Sequence, residues 1–199
     1  MPDFMIGYGS LLSSYSRRTY SGIDADVRPV VATGWRRGWT VRYGDEAATY
    51  AGVRHAPGHH LHAALVPTEI TPELRHRERG YVFTQVDPGS VHPDDGSRAA
   101  LPAGRYWIVV NREQVRADRD HPIPQTYVDT CLSGCLETGG EARARAFIQA
   151  TELWDAPWIN DRDSHAPLYP RRTPLSTEDR TRVDTLLETC GVLKFRQPA

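Results

Sequence analysis

The stretch FMIGYGSLL, residues 4–12, decides the fold prediction for this chain of 199 residues. Its first three residues are apolar and indicate a buried strand, and Gly7 and Gly9 follow directly. Glycine permits positive φ and lets a ligand approach the main chain without a Cβ in the way, so successive amides can converge on a carboxylate or phosphate. The stretch therefore predicts an anion-binding loop at the end of a strand. A plain turn is the competing interpretation, because Tyr-Gly-Ser is also common in turns.

A second informative element is a short helix followed by a strand. Thr71 suits the N-cap and Pro72 the first helical position, so a helix is predicted to begin there and to end at Gly80. The β-branched and aromatic run at 81–86 then predicts a strand.

Glu78 falls in the last turn of this helix, where the helix macrodipole disfavours a negative charge. An acid in that position is a candidate for proton transfer. The alternative is a solvated Glu78 paired with Arg75 or Arg79.

These two elements together resemble the γ-glutamylcyclotransferases. That family has an N-terminal strand ending in Tyr-Gly-Ser-(Asn or Leu)-Leu, and later a Leu-x-x-x-Glu helix ending near Gly-Tyr. Residues 8–12 match the first element, and residues 74–78 followed by 80–81 match the second. Further segments match later family elements in order, at 49–53, 62–66, 105–111 and 124–127 with Gly134. The resemblance runs from about residue 4 to residue 153.

Two residues depart from the family pattern. Arg75 stands where many members have Asp, and Arg79 stands where Gly often follows the Glu. Both changes make the surroundings of Glu78 more cationic. The segment from Trp154 onward has no counterpart in the best-known members.

The resemblance implies an enzyme that releases 5-oxoproline and a free amine from a γ-glutamyl amine or peptide. The α-amine of the γ-glutamyl group attacks its own γ-carbonyl and closes a five-membered lactam, so neither a cofactor nor a metal is implied. Pre-arranged geometry can supply up to about 7–11 kcal/mol of the barrier in such a reaction. Glu78 is implied as the catalytic acid and base. The implied substrate-binding residues are Tyr8, Gly9, Ser10 and Leu11, whose amides would hold the α-carboxylate, together with Tyr81 and Tyr127.

Each of these assignments has an alternative. Tyr81 and Tyr127 are equally compatible with core packing. A protein of the same fold can also be a non-catalytic module that binds small molecules, and Arg75 and Arg79 leave that option open. A hydrolase with Ser10 as nucleophile is a third option, but Ser10 lacks the flanking pattern of a nucleophile elbow.

The order of elements predicts an α+β fold. Strands are expected at 30–32 and 39–43 about Gly34, a long loop at 87–104, and helices at about 124–137, 141–153 and 176–189. The resemblance sharpens this to a small mixed β-barrel flanked by helices, with residues 1–153 as the domain and 154–199 as a C-terminal helical extension packed on it. The polar and aromatic residues at 154–172 are expected either to form a wall that recognises the amine half of the substrate or to pack as a C-terminal loop.

The resemblance implies a small-molecule γ-glutamyl substrate as the partner, and composition gives no reason to expect a nucleic acid or a membrane. The net charge of −1 gives no electrostatic reason to bind nucleic acid or an anionic membrane, and no apolar run is long enough to span one. Three cysteines and the absence of a signal-like start predict a cytoplasmic protein, and Cys131 and Cys135 are expected in the core. Lys194 is the only lysine, a skew typical of GC-rich bacterial genomes. The oligomeric state stays open, with a homodimer as one option.

Four histidines between residues 55 and 62 raise the question of a metal site. On a strand, His60 and His62 would share a face and His59 would point the other way, which leaves at most two convergent ligands. We therefore expect this tract to be a solvated loop without a metal.

Overall fold

The computed structural model describes residues 1–72, 75 and 80–198. Seven strands form its main sheet: β1 (Asp3–Gly7), β2 (Arg28–Val41), β3 (Tyr50–Pro67), β4 (Tyr81–Val86), β5 (Val91–Pro93), β6 (Arg105–Asn111) and β8 (Thr151–Glu152). A second sheet contains β7 (Ile123–Pro124), β9 (Trp158–Asn160) and β10 (Arg196–Pro198). The described helices are α1 (Ser14–Ser21), α2 (Gln125–Ala150) and α3 (Thr177–Thr189).

Strand β1 lies in the interior of the main sheet, whose strand order is β4-β6-β1-β3-β2-β5. It pairs antiparallel with β3, with Met5 opposite Val66, and parallel with β6, with Phe4 opposite Tyr106. A strand with neighbours on both edges and both faces covered has to be apolar along its length, which explains the predicted run at 4–6. The loop that follows β1 is therefore anchored at the centre of the fold.

The longest strands form one hairpin, β2 with β3. The sequence predicts separate strands on either side of Gly34, which is wrong because β2 is continuous there. The segments at 49–53 and 62–66, which match separate family elements, likewise belong to the one strand β3. The pairing instead continues through an irregularity, passing from Thr33 opposite His60 to Trp35 opposite His55. Gly34 lies there with φ +86, so it accommodates a bulge and does not end a strand.

The α+β class is confirmed, but the barrel is not. Within the described ranges, the strand order has two ends, β4 and β5, so the sheet is open. Strand β5 has three residues and ends at Pro93, which lacks the N–H that a further ladder bond needs. This strand and the turn at Pro88–Ser90 lie inside the tract that the sequence predicts to be an irregular loop.

Helix α2 corresponds to the two helices predicted at 124–137 and 141–153. Gly139 and Gly140 leave helical conformation inside it, with Gly140 at φ 62 and ψ −156. The helix ends earlier than predicted because Thr151 and Glu152 pair with β2. Its middle packs against the turn after β1: a Cβ on Gly134 would lie 2.1 Å from the carbonyl carbon of Leu12.

The last predicted helix is also present as α3. The Ser176 hydroxyl caps it by accepting a hydrogen bond from the Asp179 amide at 3.0 Å. Helix α1, by contrast, is not predicted from its polar sequence; the Ser13 side chain caps it by accepting from the Ser16 amide.

The hydrophobic core draws on both halves of the chain. Its buried members from the C-terminal part include Trp158, Tyr169, Val183, Leu186 and Leu187. A division into 1–153 and 154–199 stays a prediction. None of the helices in the described ranges is long and apolar enough to cross a lipid bilayer.

Candidate active site

A cavity of about 90 Å³ lies at the carboxyl end of β1. Its walls come from β1 and the loop after it, from the start of α2, and from β3, β4 and β6. The lining residues are Met5, Ile6, Gly7, Tyr8, Gly9, Ser10, Leu11, Ala51, Tyr81, Val109 and Tyr127. The end of an interior strand thus borders a cavity, at the position of the glycine-rich stretch.

The loop after β1 is a single 3-10 turn at Ser10–Leu12. The Leu12 amide donates to the Gly9 carbonyl at 3.0 Å, and the Ser13 amide donates to the Ser10 carbonyl at 3.2 Å. The first amides of a helical turn have no acceptor inside the turn. The N–H groups of Ser10 and Leu11 are therefore the ones that this turn leaves for an external acceptor.

The guanidinium of Arg37 anchors the start of this loop through a hydrogen bond to the Tyr8 carbonyl. Arg37 is completely buried in β2, and its Nη1 donates to the Tyr8 carbonyl at 3.1 Å. Because a trans peptide unit is planar, with its C=O and N–H on opposite sides, this bond turns the Gly9 amide away from Arg37. Arg37 thus orients the first amide of the loop.

Further bonds hold Arg37 itself in place. It donates to the carbonyls of His62 at 3.0 Å and Phe147 at 3.3 Å, and to the Thr151 hydroxyl at 2.8 Å. Its guanidinium carbon lies 3.5 Å from the centroid of the Phe147 ring. Burial lowers the pKa of Arg37 to about 10, so the side chain is still a cation at neutral pH.

Sequence reasoning missed Arg37, although a signal exists. Trp35, Arg37 and Trp39 occupy alternate positions of β2 and therefore share one face. Both tryptophans are buried. A charged residue between two buried aromatic residues on the same strand face indicates a buried charge with a specific task.

Two tyrosines of the cavity make contacts that define their orientation. The Tyr8 hydroxyl donates to the Val109 carbonyl at 2.7 Å, which ties the loop to β6. The Tyr127 hydroxyl comes so close to the loop that a Cβ on Gly9 would lie 2.4 Å from it. This close approach therefore requires glycine at position 9.

The cavity brings together six of the seven residues that the family resemblance implies. Tyr8, Gly9, Ser10, Leu11, Tyr81 and Tyr127 all line it. Glu78 lies outside the described residues, as do Leu74 and Arg79. Arg75 is described, and its guanidinium carbon lies 5.0 Å from the ring centroid of Phe83 on β4.

A second cavity, of about 130 Å³, adjoins the first. We call it the tyrosine compartment; its described lining residues are Ser10, Tyr43, Tyr50, Tyr81, Tyr127, Tyr169 and Arg171. Three of these also line the first cavity, namely Ser10, Tyr81 and Tyr127. The two spaces therefore meet at shared side chains.

The aromatic residues of the segment 154–172 lie in two different environments, and a role in recognising the amine half of the substrate stays a prediction. Tyr169 and Arg171 line the tyrosine compartment. Trp154 and Trp158 are instead core residues, with the Trp154 ring centroid 4.9 Å from that of Trp39. Aromatic residues of one segment thus divide between a cavity wall and the core.

The histidine tract lies in strand β3, so the predicted solvated loop is wrong. Arg36 Nη1 donates to His59 Nε2 at 2.9 Å, and His62 Nδ1 lies 2.9 Å from Asp94 Oδ2. Pairing with β2 flanks Pro57 and Gly58 on both sides, with His55 opposite Trp35 and His60 opposite Thr33, and β3 continues between these pairs.

No protein-family model matches the chain, and no curated protein matches it. Solved structures do match. The chain is similar to the crystal structure of YkqA from Bacillus subtilis, with a TM-score of 0.52 and 19% identity. The match covers 73% of this chain and 52% of the other, so the chain spans about half the length of YkqA. A second structure, described as a gamma-glutamyl cyclotransferase, has a TM-score of 0.52 and 14% identity, with coverage of 93% and 99%. The chain therefore has a γ-glutamylcyclotransferase-like fold.

Proposed function

We propose that this protein is a γ-glutamyl cyclotransferase, which releases 5-oxoproline and a free amine from a γ-glutamyl amine or peptide. The observation that carries the proposal is the cavity at the end of β1. Its walls combine a loop with outward amides and two tyrosines, Tyr81 and Tyr127. These are the parts that the family resemblance implies for the substrate site.

The reaction needs no external reagent, but it needs the γ-glutamyl group in a bent conformation that brings its α-amine to its γ-carbonyl carbon. The lone pair of the α-amine forms a bond to the γ-carbonyl carbon, the amide C–N bond breaks, and the proton lost by the amine ends on the leaving nitrogen. Amides of Gly9, Ser10 and Leu11 would hold the α-carboxylate and so restrict the substrate to the conformation that closes the ring.

Tyr127 suits a role as hydrogen-bond donor to the oxyanion that forms on the γ-carbonyl oxygen. Burial raises the pKa of Tyr127 well above its usual value, so its hydroxyl keeps its proton at neutral pH. A buried neutral donor can stabilise developing negative charge without reorganising during the reaction.

Glu78 is the proposed acid and base. It would accept the proton of the α-ammonium group and return it to the leaving nitrogen. Tyr81, three positions later in the sequence, lines the cavity.

The test is release of 5-oxoproline, followed by mass spectrometry, from a panel of γ-glutamyl amides. We expect wild type to release it and Glu78→Gln to lose about 10²- to 10⁴-fold in kcat, the usual size of general acid–base catalysis. Glu69→Gln makes the same change at an exposed position and should leave kcat unchanged.

Three outcomes would contradict parts of the proposal. Binding of γ-glutamyl compounds without any 5-oxoproline would favour the non-catalytic binding module. Full turnover in Glu78→Gln would remove Glu78 from the mechanism. Loss of turnover in Ser10→Ala, with glutamate instead of 5-oxoproline formed by wild type, would favour the hydrolase.

A further inference from the structure

We propose that a cavity beside α3 binds the phosphate group of a small molecule, with Arg172 and Arg180 as the residues that bind it. The cavity has a volume of about 190 Å³, and three arginines line it, so we call it the arginine cavity. No described residue lines both this cavity and the cavity at the end of β1. The inference therefore does not rest on the proposed cyclotransferase function.

The described wall of the arginine cavity carries more positive than negative charge. Arg162 follows β9, Arg172 precedes α3, and Arg180 lies within α3. The one acid among the described lining residues is Asp129, whose two carboxylate oxygens each accept a hydrogen bond of 2.7 Å from Arg162. Because these two opposite charges are paired with each other, Arg172 and Arg180 are the charges that the wall presents to the cavity.

The neighbouring acids have donors of their own. Asp184 pairs with Arg162 at 2.9 Å and with Arg196 at 2.7 Å. Asp161 accepts hydrogen bonds from the Thr126 amide at 2.9 Å and from the Thr126 hydroxyl at 2.7 Å. These carboxylates are already paired or hydrogen-bonded, so they do not act as counter-ions for the cavity.

Arg172 has no counter-ion among the described residues. Its Nη1 donates to the Arg162 carbonyl at 3.1 Å, which is the one hydrogen bond of this side chain to the described part of the chain. A guanidinium has five N–H donors, so four are left. The Arg172 side chain is half-buried, and withdrawing an unpaired charge from water is unfavourable. An anion in the cavity would remove that cost.

Arg180 provides the second cation of the site. It pairs with Asp163 at 3.1 Å, but 38% of the Arg180 side chain and 90% of the Asp163 side chain are exposed. A pair so exposed to water contributes little to stability. Arg180 can therefore exchange Asp163 for an anion in the cavity that it lines.

Two guanidinium groups fit a phosphate better than a single carboxylate. A guanidinium binds two oxygens of one anion side by side. A phosphate group has three terminal oxygens and about −1.5 to −2 charges at neutral pH, whereas a carboxylate has two oxygens and one charge. One water needs about 10–15 Å³ of cavity volume, so the arginine cavity has room for a phosphate group and several further atoms. A phosphate ester of a small molecule is the ligand class that follows.

Calorimetry on the full chain tests this site, with inorganic phosphate as the probe at constant ionic strength. We expect a Kd near or below about 1 mM, and binding of acetate at least about tenfold weaker. Arg172→Gln should raise the Kd for phosphate at least about tenfold, as for the loss of a charge-assisted hydrogen bond. Arg182→Gln makes the same change in α3 at a residue that pairs with Glu141 at 3.2 Å, and should alter the Kd less than about twofold.

Arg180→Gln provides a second variant in case Arg172→Gln does not fold. Its pair with Asp163 is exposed, so its loss should leave the fold intact while raising the Kd at least about threefold. The inference is overturned if wild type binds no phosphate at about 10 mM, if it binds acetate equally well, or if Arg180→Gln keeps the wild-type Kd. Release of 5-oxoproline by the same preparations tests the proposed function separately, since neither arginine lines the cavity at the end of β1.

Discussion

The hydroxyl oxygen of Tyr127 occupies the place that a side chain on Gly9 would need. A Cβ built on Gly9 lies 2.4 Å from that oxygen but 3.5 Å from the ring carbon that carries it. The first distance is far below van der Waals contact, and the second is an ordinary contact. The hydroxyl oxygen of Tyr127 is thus the one atom of that side chain that excludes a Cβ at Gly9.

Gly9→Ala is expected to displace either the loop or Tyr127. Tyr127 is buried at the start of α2 and has little room to move, so we expect the free energy of unfolding to fall by about 1–3 kcal/mol. Under the proposed function, KM should rise because the displaced loop no longer presents its amides. Urea unfolding and steady-state kinetics measure the two effects.

Tyr127→Phe provides the control for this prediction. In that background, alanine at position 9 meets the ring at 3.5 Å and no longer meets an oxygen. The cost of Gly9→Ala in stability should therefore fall by more than half. Equal costs in the two backgrounds would show that the contact between Gly9 and Tyr127 does not limit position 9.

Arg37→Lys tests whether the hydrogen bonds of Arg37 hold the loop after β1 in place. Lysine keeps the charge, but its ammonium group has three N–H donors for the four acceptors of Arg37, which are the carbonyls of Tyr8, His62 and Phe147 and the Thr151 hydroxyl. An unsatisfied buried carbonyl costs about 1–3 kcal/mol, so we expect at least that loss in the free energy of unfolding. Under the proposed function, KM should rise more than kcat falls, since the change would affect how the loop holds the substrate.

Arg36→Lys is the matched control, because it makes the same change at the neighbouring position. Arg36 pairs with Glu152 at 3.0 Å, and 38% of its side chain is exposed. A partly exposed ion pair contributes less than about 1 kcal/mol. If the two variants lose equal stability, the buried hydrogen bonds of Arg37 are not what holds the loop.

The cysteines give a prediction about pH. Burial raises the pKa of Cys135 from its usual 9.0 to about 11 and also raises that of Cys131. The folded protein therefore keeps protons that the unfolded chain releases. This stabilisation is complete below about pH 9 and is lost as the pH rises from 9 to 11.

Urea unfolding at about pH 8 and about pH 10 measures this effect. We expect wild type to lose stability over that interval and Cys135→Ala to lose less. The native protein should react with a thiol reagent at the partly exposed Cys190, and at the two buried cysteines only as fast as it unfolds. Identical pH slopes for the two proteins would contradict the assignment of this proton to Cys135.

The sequence was most informative where local patterns act alone. The strand at 4–6, the loop with Gly7 and Gly9, and the helix at about 176–189 all depend on neighbours in sequence, and the structure has them where they are predicted. The six described residues of the candidate site were reached through the family resemblance. They meet in one cavity because β1, β4 and α2 end or begin around it.

The features that the sequence did not predict depend on residues that are distant in sequence. Pro57 and Gly58 are typical of turns, yet β3 continues through them because its flanking residues His55 and His60 both pair with β2. Closure of the sheet depends on the lengths of its edge strands, which a local pattern does not fix. Arg171 lies 161 positions after Ser10 and joins it in one compartment, for which the sequence carries no spacing signal.

A buried ion pair joins α2 to the C-terminal part of the chain and gives the last prediction. Arg162 donates two hydrogen bonds of 2.7 Å to the two carboxylate oxygens of Asp129. Both side chains are almost fully buried. Arg162→Met would leave the Asp129 carboxylate buried with the Gln125 amide at 2.7 Å as a remaining donor.

We expect Arg162→Met to lower the free energy of unfolding by about 3–5 kcal/mol, because removing one partner strands a buried charge. Arg180→Gln, which breaks the more exposed pair with Asp163, should cost less than about 1 kcal/mol.

Truncation after Leu153 removes Arg162 together with buried Trp158 and Leu187, so it should yield insoluble protein. A folded truncated protein that retains 5-oxoproline release would instead show that residues 154–199 act on substrate choice alone.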